Sequence, residues 1–399
     1  MMDYDIIIIG AGPAGLSFAR ALADSGLRLA VFEKKASEAI AQPAYDGREI
    51  ALTHLSHKIL QNLGMWSQIP ADQILLMKHA QVTNGESPYV LSFDYQESGQ
   101  DNLGFMVSNQ NIRRAAYQSL VDKPTVSLHY GVEISKLGTT DQNAWVQLKN
   151  GKRLTAQMIV AADSRFSAAR QMMGIGVSTL DFERTCIVCQ MTTEKGHQDT
   201  AYEMFQLGRT LAILPLPDNR VSAVITLPTE RRHDVLGLDA KSFAADIMQR
   251  TSHMFGEMEL ISDFYPYPLV GTYARQFYGK RFALIGDAAV GMHPVTAHGF
   301  NLGLRGAYSL AQQIQQEAAL GLPFWTDPVL QIYAFNHRKI SFPLYHGTNA
   351  LVKLYTKEGP VARMARHGLL RLGHLVRPAK KMIMNQLTEA DPAAPHKSV

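Results

Sequence analysis

Residues 3–35, DYDIIIIGAGPAGLSFARALADSGLRLAVFEKK, read as a strand, a tight turn, a helix and a second strand. The run of four isoleucines from Ile6 is continuously apolar, as a parallel strand covered on both faces must be. Gly10, Gly12 and Gly15 then give the spacing G-x-G-x-x-G. The first glycine permits the turn, the second lets a pyrophosphate approach the backbone, and the third lets helix and strand pack closely. Free N–H groups at the start of the helix point at the phosphates. Ala19, Leu22 and Ala23 share one side of that helix. The second strand ends at Glu33, placed to accept hydrogen bonds from a ribose diol, which disfavours a 2′-phosphate there. Lys34 beside it is grouped with the same contacts. The fingerprint alone does not separate FAD from NAD.

The rest of the composition sets bounds. A chain of 399 residues has the length of two or three domains, and 46% apolar with 19% charged residues describes an ordinary globular protein. Mean hydropathy is −0.09 and no run of eighteen apolar residues occurs, so no membrane span is expected. The opening MMDYDIIIIGAG has neither a basic leader nor a cleavage site, and the expected location is cytoplasmic. Cys186 and Cys189 are spaced C-x-x-C within RTCIVCQMTT, which reads as a strand. Positions i and i+3 of a strand face opposite ways, so a redox or zinc role is set aside in favour of buried thiols. The net charge of +4 is unevenly placed, with basic residues crowding positions 336–385.

Three further segments carry a resemblance. DGREIALTHLSHKILQNLGMW (46–66) places Arg48 before an apolar-periodic helix. LTAQMIVAADSRFSAARQMMGI (154–175) ends a strand at Asp163 and follows it with Ser167 and Arg170, although Ser164 stands where a glycine is usual. KRFALIGDAAVGMHPVTAHGFNLGLRGAYSLA (280–311) joins a strand, Gly286-Asp287, a proline loop and a glycine-rich helix start. Together these resemble the single-component flavin-dependent aromatic hydroxylases, and among them the ubiquinone-biosynthesis hydroxylases, most of all the UbiM-like branch acting on demethoxyubiquinol. Val290, His298 and Gly306 depart from that pattern, where relatives have His, Gln and Asp.

The resemblance implies an α/β (α+β overall) chain: a Rossmann-like FAD-binding domain, an inserted antiparallel-sheet substrate domain and a helical C-terminal tail. It implies FAD as cofactor and NAD(P)H as transient co-substrate, with O2 captured as a flavin C4a-hydroperoxide that hydroxylates an electron-rich ring. The chain holds no second dinucleotide fingerprint, so NAD(P)H would bind at the surface of the FAD domain. Arg48 is expected near the FAD pyrophosphate, Asp287 on a ribitol hydroxyl, and Asn109, Asp163, Pro294, Gly299 and Asn301 complete the cofactor contacts. The helix after the loop buries Ala307, Leu310, Ala311, Ile314 and Ala318, spaced for one face. Its N-terminus carries fractional positive charge suited to anionic reduced flavin.

His293, Pro294 and His298 are the candidate catalytic residues of the loop. A metal reading of the histidines fails, because a five-residue spacing beside proline is not the i, i+4 pair of a helical zinc site and no carboxylate follows at ligand spacing. A proton relay to a substrate phenol and simple packing beside the flavin both remain open.

Strand-like segments at 78–95 and 183–228, with a turn at Asp218-Asn219, supply the substrate sheet. The aromatics Phe264, Tyr265, Tyr267 and Tyr273 are read mostly as packing, with one or two facing substrate. The expected division is an FAD domain of 1–77, 100–178 and 267–335, a substrate domain of 78–99 and 179–266, and a basic C-terminal region of 336–399. Within that last part, 361–376 has helical amphipathic spacing that suits either anionic lipid or docking on the core. Contact with a biosynthetic complex, or with the inner face of the membrane, would use this region. Nucleic acid is not an expected partner. The expected activity is hydroxylation of a polyprenylated ubiquinone precursor. The alternatives are a soluble aromatic-compound hydroxylase and a non-catalytic prenyl-lipid carrier on the same fold.

Overall fold

The computed structural model describes residues 2–85, 89–206, 208–293, 298–356, 380, 383–385, 388 and 389. Pro294 and the amphipathic stretch 361–376 lie outside them.

The isoleucine run forms the strand Ile6–Ile9, and Ile6, Ile7 and Ile8 are completely buried. Burying a side chain of this size is worth roughly 1.5–3 kcal/mol over leaving it exposed, so the run anchors the core. It pairs in parallel with Leu29–Glu33 on one side and Met158–Ala161 on the other. Val126–Tyr130 extends the first side in parallel, and Phe282–Leu284 then Tyr278–Gly279 extend the second. The ends of Ile6–Ile9, Leu29–Glu33, Met158–Ala161 and Phe282–Leu284 therefore lie side by side, and each carries one of the expected cofactor motifs just beyond it. Helix Pro13–Leu22 buries Gly15, Leu16, Phe18, Ala19 and Leu22. Helix His298–Ala319 buries Ala307, Leu310, Ala311 and Ile314 fully, while Ala318 is partly buried.

The second large sheet has nine strands and is mostly antiparallel. Its spine is the seventeen-residue strand Val177–Thr193, flanked by Tyr265–Ala274 and Arg220–Pro228. Arg209–Leu216, Thr200–Gln206 and the hairpin His79–Asn84/Leu91–Asp94 continue outward. The turn at Asp218-Asn219 has positive φ at both residues, 62° and 54°, the conformation that suits a two-residue hairpin. One face of this sheet (Ile187, Cys189, Met191, Leu211, Ile213, Val221) packs on helix Ala240–Arg250, whose N-cap is Asp239. Cys189 lies on that face and Cys186 on the other, both buried and neither in a disulfide.

Helix Asp327–Thr356 packs on the parallel sheet and runs unbroken across positions 335 and 336. Tyr333 on it donates to the carbonyl of Leu284 at 2.7 Å. Among the described residues, no helix is long and apolar enough to cross a membrane.

Candidate functional site

At the first fingerprint the glycine requirement is steric. A Cβ on Gly10, whose φ is +105°, would come within 2.6 Å of the carbonyl oxygen of Ala162, and one on Gly15 would collide with the carbonyl of Gly10. Gly12 faces open space, so its backbone is the one a ligand can approach. Glu33 accepts from the Ala11 backbone N–H at 2.9 Å and from that of Lys35 at 3.0 Å, which fixes its carboxylate at the strand end. Lys34 beside it is exposed.

The second and third motifs interlock. Ser167 caps helix Ala168–Met172 by accepting from the Arg170 N–H at 2.9 Å. Arg170 is 1% exposed and spans the motifs, donating to the carbonyl of Ala288 at 2.7 Å and to that of Arg165 at 3.0 Å. Arg165 pairs with Asp287 at 3.2 Å and donates to the Val270 carbonyl at 3.0 Å. Asp163 accepts from the Ala169 N–H through one oxygen, at 3.3 Å. Its other oxygen is buried with no hydrogen-bond partner among the described residues. Gly286, at φ +59°, sits against Ala14, and a Cβ on Gly303 would lie 3.2 Å from the Gly286 Cα. The start of helix His298–Ala319 is thus pressed onto both the 286–288 turn and the first glycine loop.

Arg48 is held from below. It pairs with Asp46 at 2.5 Å, and Asn109 donates to the same Asp46 oxygen at 2.8 Å. Burial would raise the Asp46 carboxyl, but the Arg48 guanidinium holds it below the usual range. Tyr267 donates to the Asp46 carbonyl, and its ring lies 5.7 Å from the Arg48 guanidinium. Asn109 therefore positions Arg48 through Asp46. Asn301, 2% exposed, accepts from the Thr53 N–H at 3.2 Å and donates to the Ala51 carbonyl at 2.9 Å. These bonds tie helix His298–Ala319 to the strand Glu49–Leu52. Gly299 is half-buried one residue into the helix.

His293 is buried against Phe182, whose ring lies edge-on at 4.8 Å. Burial, reinforced by Arg184 and Arg165, lowers its imidazole to about 4, so it is neutral near pH 7. His298 is buried at the first position of its helix. Among the described residues no three His, Cys, Asp or Glu gather closely enough to hold a metal ion.

The departure at Gly306 has a steric account: a Cβ there would lie 2.7 Å from the imidazole of His337, so that ring fills the place of an aspartate side chain. Sequence reasoning missed Arg165 and the Asp46 support of Arg48, although each neighbours a motif residue. It also missed a cavity of about 470 Å³ where the nine-stranded sheet faces the segments around Tyr45 and Asn111. Tyr45, Glu49, Arg114, Gln190 and Arg220 are among its lining residues. The cavity joins segments distant in the chain and had no local signal. In it Glu49 accepts from Tyr45 at 3.0 Å and from Gln190 at 3.2 Å, while burial pushes its carboxyl up to about 7.

These residues fit a dinucleotide: an approachable glycine backbone, an acid at the second strand's end, a buried and unsatisfied oxygen on Asp163, and a helix start aimed at the strand ends. The model of a family described as FAD binding domain matches residues 3–319. The chain is 46% identical over 391 residues to a ubiquinone hydroxylase, UbiM, of Neisseria meningitidis, covering 97% of this chain and 85% of that protein. It is 28% identical over 382 residues to the 3-demethoxyubiquinol 3-hydroxylase of Escherichia coli K12, covering 94% and 97%. In fold it is similar to p-nitrophenol 4-monooxygenase PnpA from Pseudomonas putida, with a TM-score of 0.78 at 16% identity over 97% of this chain and 99% of the other. The chain belongs to the FAD binding domain family and, within it, to the ubiquinone-biosynthesis hydroxylases, and it is an FAD-dependent monooxygenase.

Proposed function

We propose that the enzyme uses NAD(P)H and O2 to hydroxylate the ring of a polyprenylated ubiquinone precursor, with demethoxyubiquinol as the substrate. The observation that carries this reading is the 46% identity to a ubiquinone hydroxylase over 97% of the chain. Bound FAD supplies the redox chemistry, taking electrons from NAD(P)H and activating O2 for transfer of one oxygen to the ring.

The chain's own residues bind, orient and exclude water. Gly10, Gly12 and Gly15 would admit the pyrophosphate, Glu33 and Lys34 would hold the ribose, and Asp163 would offer its unsatisfied oxygen to the cofactor. Asp287, steadied by Arg165, would take a ribitol hydroxyl, and Arg48, steadied by Asp46 and Asn109, would serve the pyrophosphate. Pro294, Gly299 and Asn301 are the residues we assign to the cofactor side of the helix N-terminus, whose dipole would favour negative charge on the reduced cofactor. His293 enters as a neutral imidazole able to accept or donate a hydrogen bond. His298, buried at the helix start, would join it as a positioning group.

The division into an FAD domain, an inserted substrate sheet and a basic C-terminal region is the organisation we assign. The excess of cations in 336–385 supports contact with the membrane surface that holds a prenylated substrate. Deleting the gene in its source organism tests the function. An under-hydroxylated quinone intermediate should accumulate in lipid extracts analysed by mass spectrometry. An unchanged quinone profile would remove ubiquinone precursors from consideration and favour a water-soluble aromatic substrate.

A further inference from the structure

The nine-stranded sheet has a second face, opposite helix Ala240–Arg250, and it turns toward the flavin motifs. Register places Tyr265, Val188, Val224, Ala212 and Glu203 in one row across the sheet. Tyr267, Cys186, Thr226 and Thr210 form the next row. Contacts show what this face looks at. Tyr267 donates to the Asp46 carbonyl, Tyr265 packs edge-on against Tyr45 at 5.5 Å, and Gln190 donates to Glu49. Near the outer strands Ala80 lies in a cluster with Ile383 and Met384 from the C-terminal region. Across the two rows the one carboxyl is that of Glu203.

Glu203 is partly buried and has no hydrogen bond or ion pair among the described residues. A carboxyl withdrawn from water is costly unless something meets it. Ser222, in the adjoining row beside Gln190, is fully buried with its hydroxyl unpartnered among the described residues. A face of mixed apolar and polar side chains whose Tyr265, Tyr267 and Gln190 meet the flavin-motif segment, and which carries one unpartnered acid on the same row as Tyr265, is complementary to an aromatic ring bearing hydroxyl groups. We propose that Glu203 is the acid–base residue that exchanges a proton with a ring hydroxyl of the substrate. The assignment rests on the reading of the substrate as a phenol or hydroquinone.

In the step it serves, the ring O–H bond breaks and the proton passes to a Glu203 oxygen. The electron pair left behind moves into the ring and makes the carbon that receives the oxygen nucleophilic. That carbon then loses its hydrogen as a proton to water, aromaticity returns, and the proton held on Glu203 restores the hydroxyl. The second oxygen of O2 leaves as water, and the electrons are those of NAD(P)H in the monooxygenase reaction, so no further reactant is needed. Burial pushes the Glu203 carboxyl up to about 8, which matches it to a phenolic proton better than an ordinary carboxylate would be. Titratable or charged groups on the same face are Arg184, Arg220, Tyr265, Tyr267 and Cys186. Facing it are Tyr45, Asp46, Arg48 and Glu49, with Tyr95 beside Ala80. Burial holds the Cys186 thiol up at about 12, so it stays protonated.

The test uses the full-length FAD-loaded protein with demethoxyubiquinol carrying a short prenyl tail, from about pH 6 to about pH 9. Product, hydrogen peroxide and NAD(P)H consumed are measured together. Wild-type product formation should rise with pH toward an inflection near that of Glu203. E203Q should keep its flavin and its reduction by NAD(P)H, lose about 100-fold in product formation, lose the inflection, and release its reducing equivalents as hydrogen peroxide. E203D, which retains an acid, should recover part of the product with a shifted inflection, and E49Q, which removes the other raised carboxyl, should keep the inflection. E203Q that makes product at the wild-type rate with the same pH profile overturns the assignment. So does failure of both Glu203 variants to fold, which would make the residue structural. Wild-type protein that turns over NAD(P)H yet makes only hydrogen peroxide overturns the substrate reading first, and the role of Glu203 with it.

Discussion

The His337 ring stacks on Tyr333 at 5.7 Å, lies 5.2 Å from Phe277, and occupies the space beside the Gly306 Cα. Glycine within a helix costs about 1 kcal/mol relative to alanine, so the exchange favours alanine unless sterics oppose it. Here they do, since forcing a Cβ against a packed ring costs about 1–3 kcal/mol. G306A should therefore lower stability by about 1 kcal/mol in urea unfolding. In an H337A background the same change should become stabilising by about 1 kcal/mol, a reversal of sign expected only of residues in contact. Equal effects in both backgrounds would contradict the steric account. Gly306 stood out in the sequence as a departure, but its reason sits on another helix. Glu33 and Gly15 were legible because their work is done within a single strand–turn–helix unit. Arg165 was not, because its worth comes from Asp287, far along the chain.

Elements were legible wherever the pattern of burial is local. The isoleucine run implied a doubly covered parallel strand, and the spacing of Ala307, Leu310, Ala311 and Ile314 marked the buried side of its helix. Both expectations hold, as does the turn at Asp218-Asn219. What the pattern cannot carry is which face of a two-faced sheet meets which neighbour. Both faces of Val177–Thr193 are apolar, with Cys186 and Val188 on one and Ile187, Cys189 and Met191 on the other. Only the pairing with Tyr265–Ala274, and through it the contact of Tyr267 with Asp46, shows which face is turned toward the flavin motifs. The pairing also explains why the aromatics divide. Tyr273 packs with Tyr345 and hydrogen-bonds Ser341, Phe264 packs on Phe243, and Tyr265 and Tyr267 lie on the face toward Tyr45 and Asp46. Between elements, Asn301 is the tie whose loss should be felt most. N301A leaves the Thr53 N–H and the Ala51 carbonyl without that partner, at a cost of about 1–3 kcal/mol in urea unfolding. It should also weaken FAD binding in a flavin-fluorescence titration, because the helix start would lose its anchor. Unchanged stability would mean that the helix is held by packing alone.

Across the whole molecule, C-terminal residues fold back onto the elements that frame the site. Glu389 pairs with Arg305 at 2.9 Å and accepts from the Thr53 hydroxyl at 2.9 Å, and Met384 packs with Phe93 and Leu103. The same compactness buries ionisable groups, and their signs fix how stability varies with pH. Burial lowers the His293 and His337 imidazoles to about 4. Each stays neutral in the fold while the unfolded chain takes up a proton, so their contribution is complete above the ordinary histidine range and is lost as pH falls toward that value. Burial raises the carboxyls of Glu49 to about 7 and Glu203 to about 8, which acts in the opposite direction. Their contribution is complete below the ordinary carboxylate range and is lost as pH rises through that range toward the folded values. The two pairs oppose each other in mildly acid solution, whereas above the histidine range the carboxyls act alone. Stability measured by urea unfolding should therefore fall between about pH 6.5 and about pH 8, by about 1 kcal/mol per unit at most, and E203Q should flatten the upper part of that fall. A slope left unchanged in E203Q would show that the carboxyl is not held protonated by the fold.

If this flavin monooxygenase acts on a quinone precursor as proposed, the oxygen it inserts must come from O2, and the source of that atom can be read directly. Purified protein loaded with FAD would be supplied with NAD(P)H, oxygen-18 gas and demethoxyubiquinol carrying a short prenyl tail, and the product read by mass spectrometry. The expected product is a hydroxylated ring carrying a labelled oxygen atom from the gas, formed with matching consumption of NAD(P)H. A hydroxyl derived from water, or NAD(P)H consumption with no hydroxylated ring, would contradict the proposal.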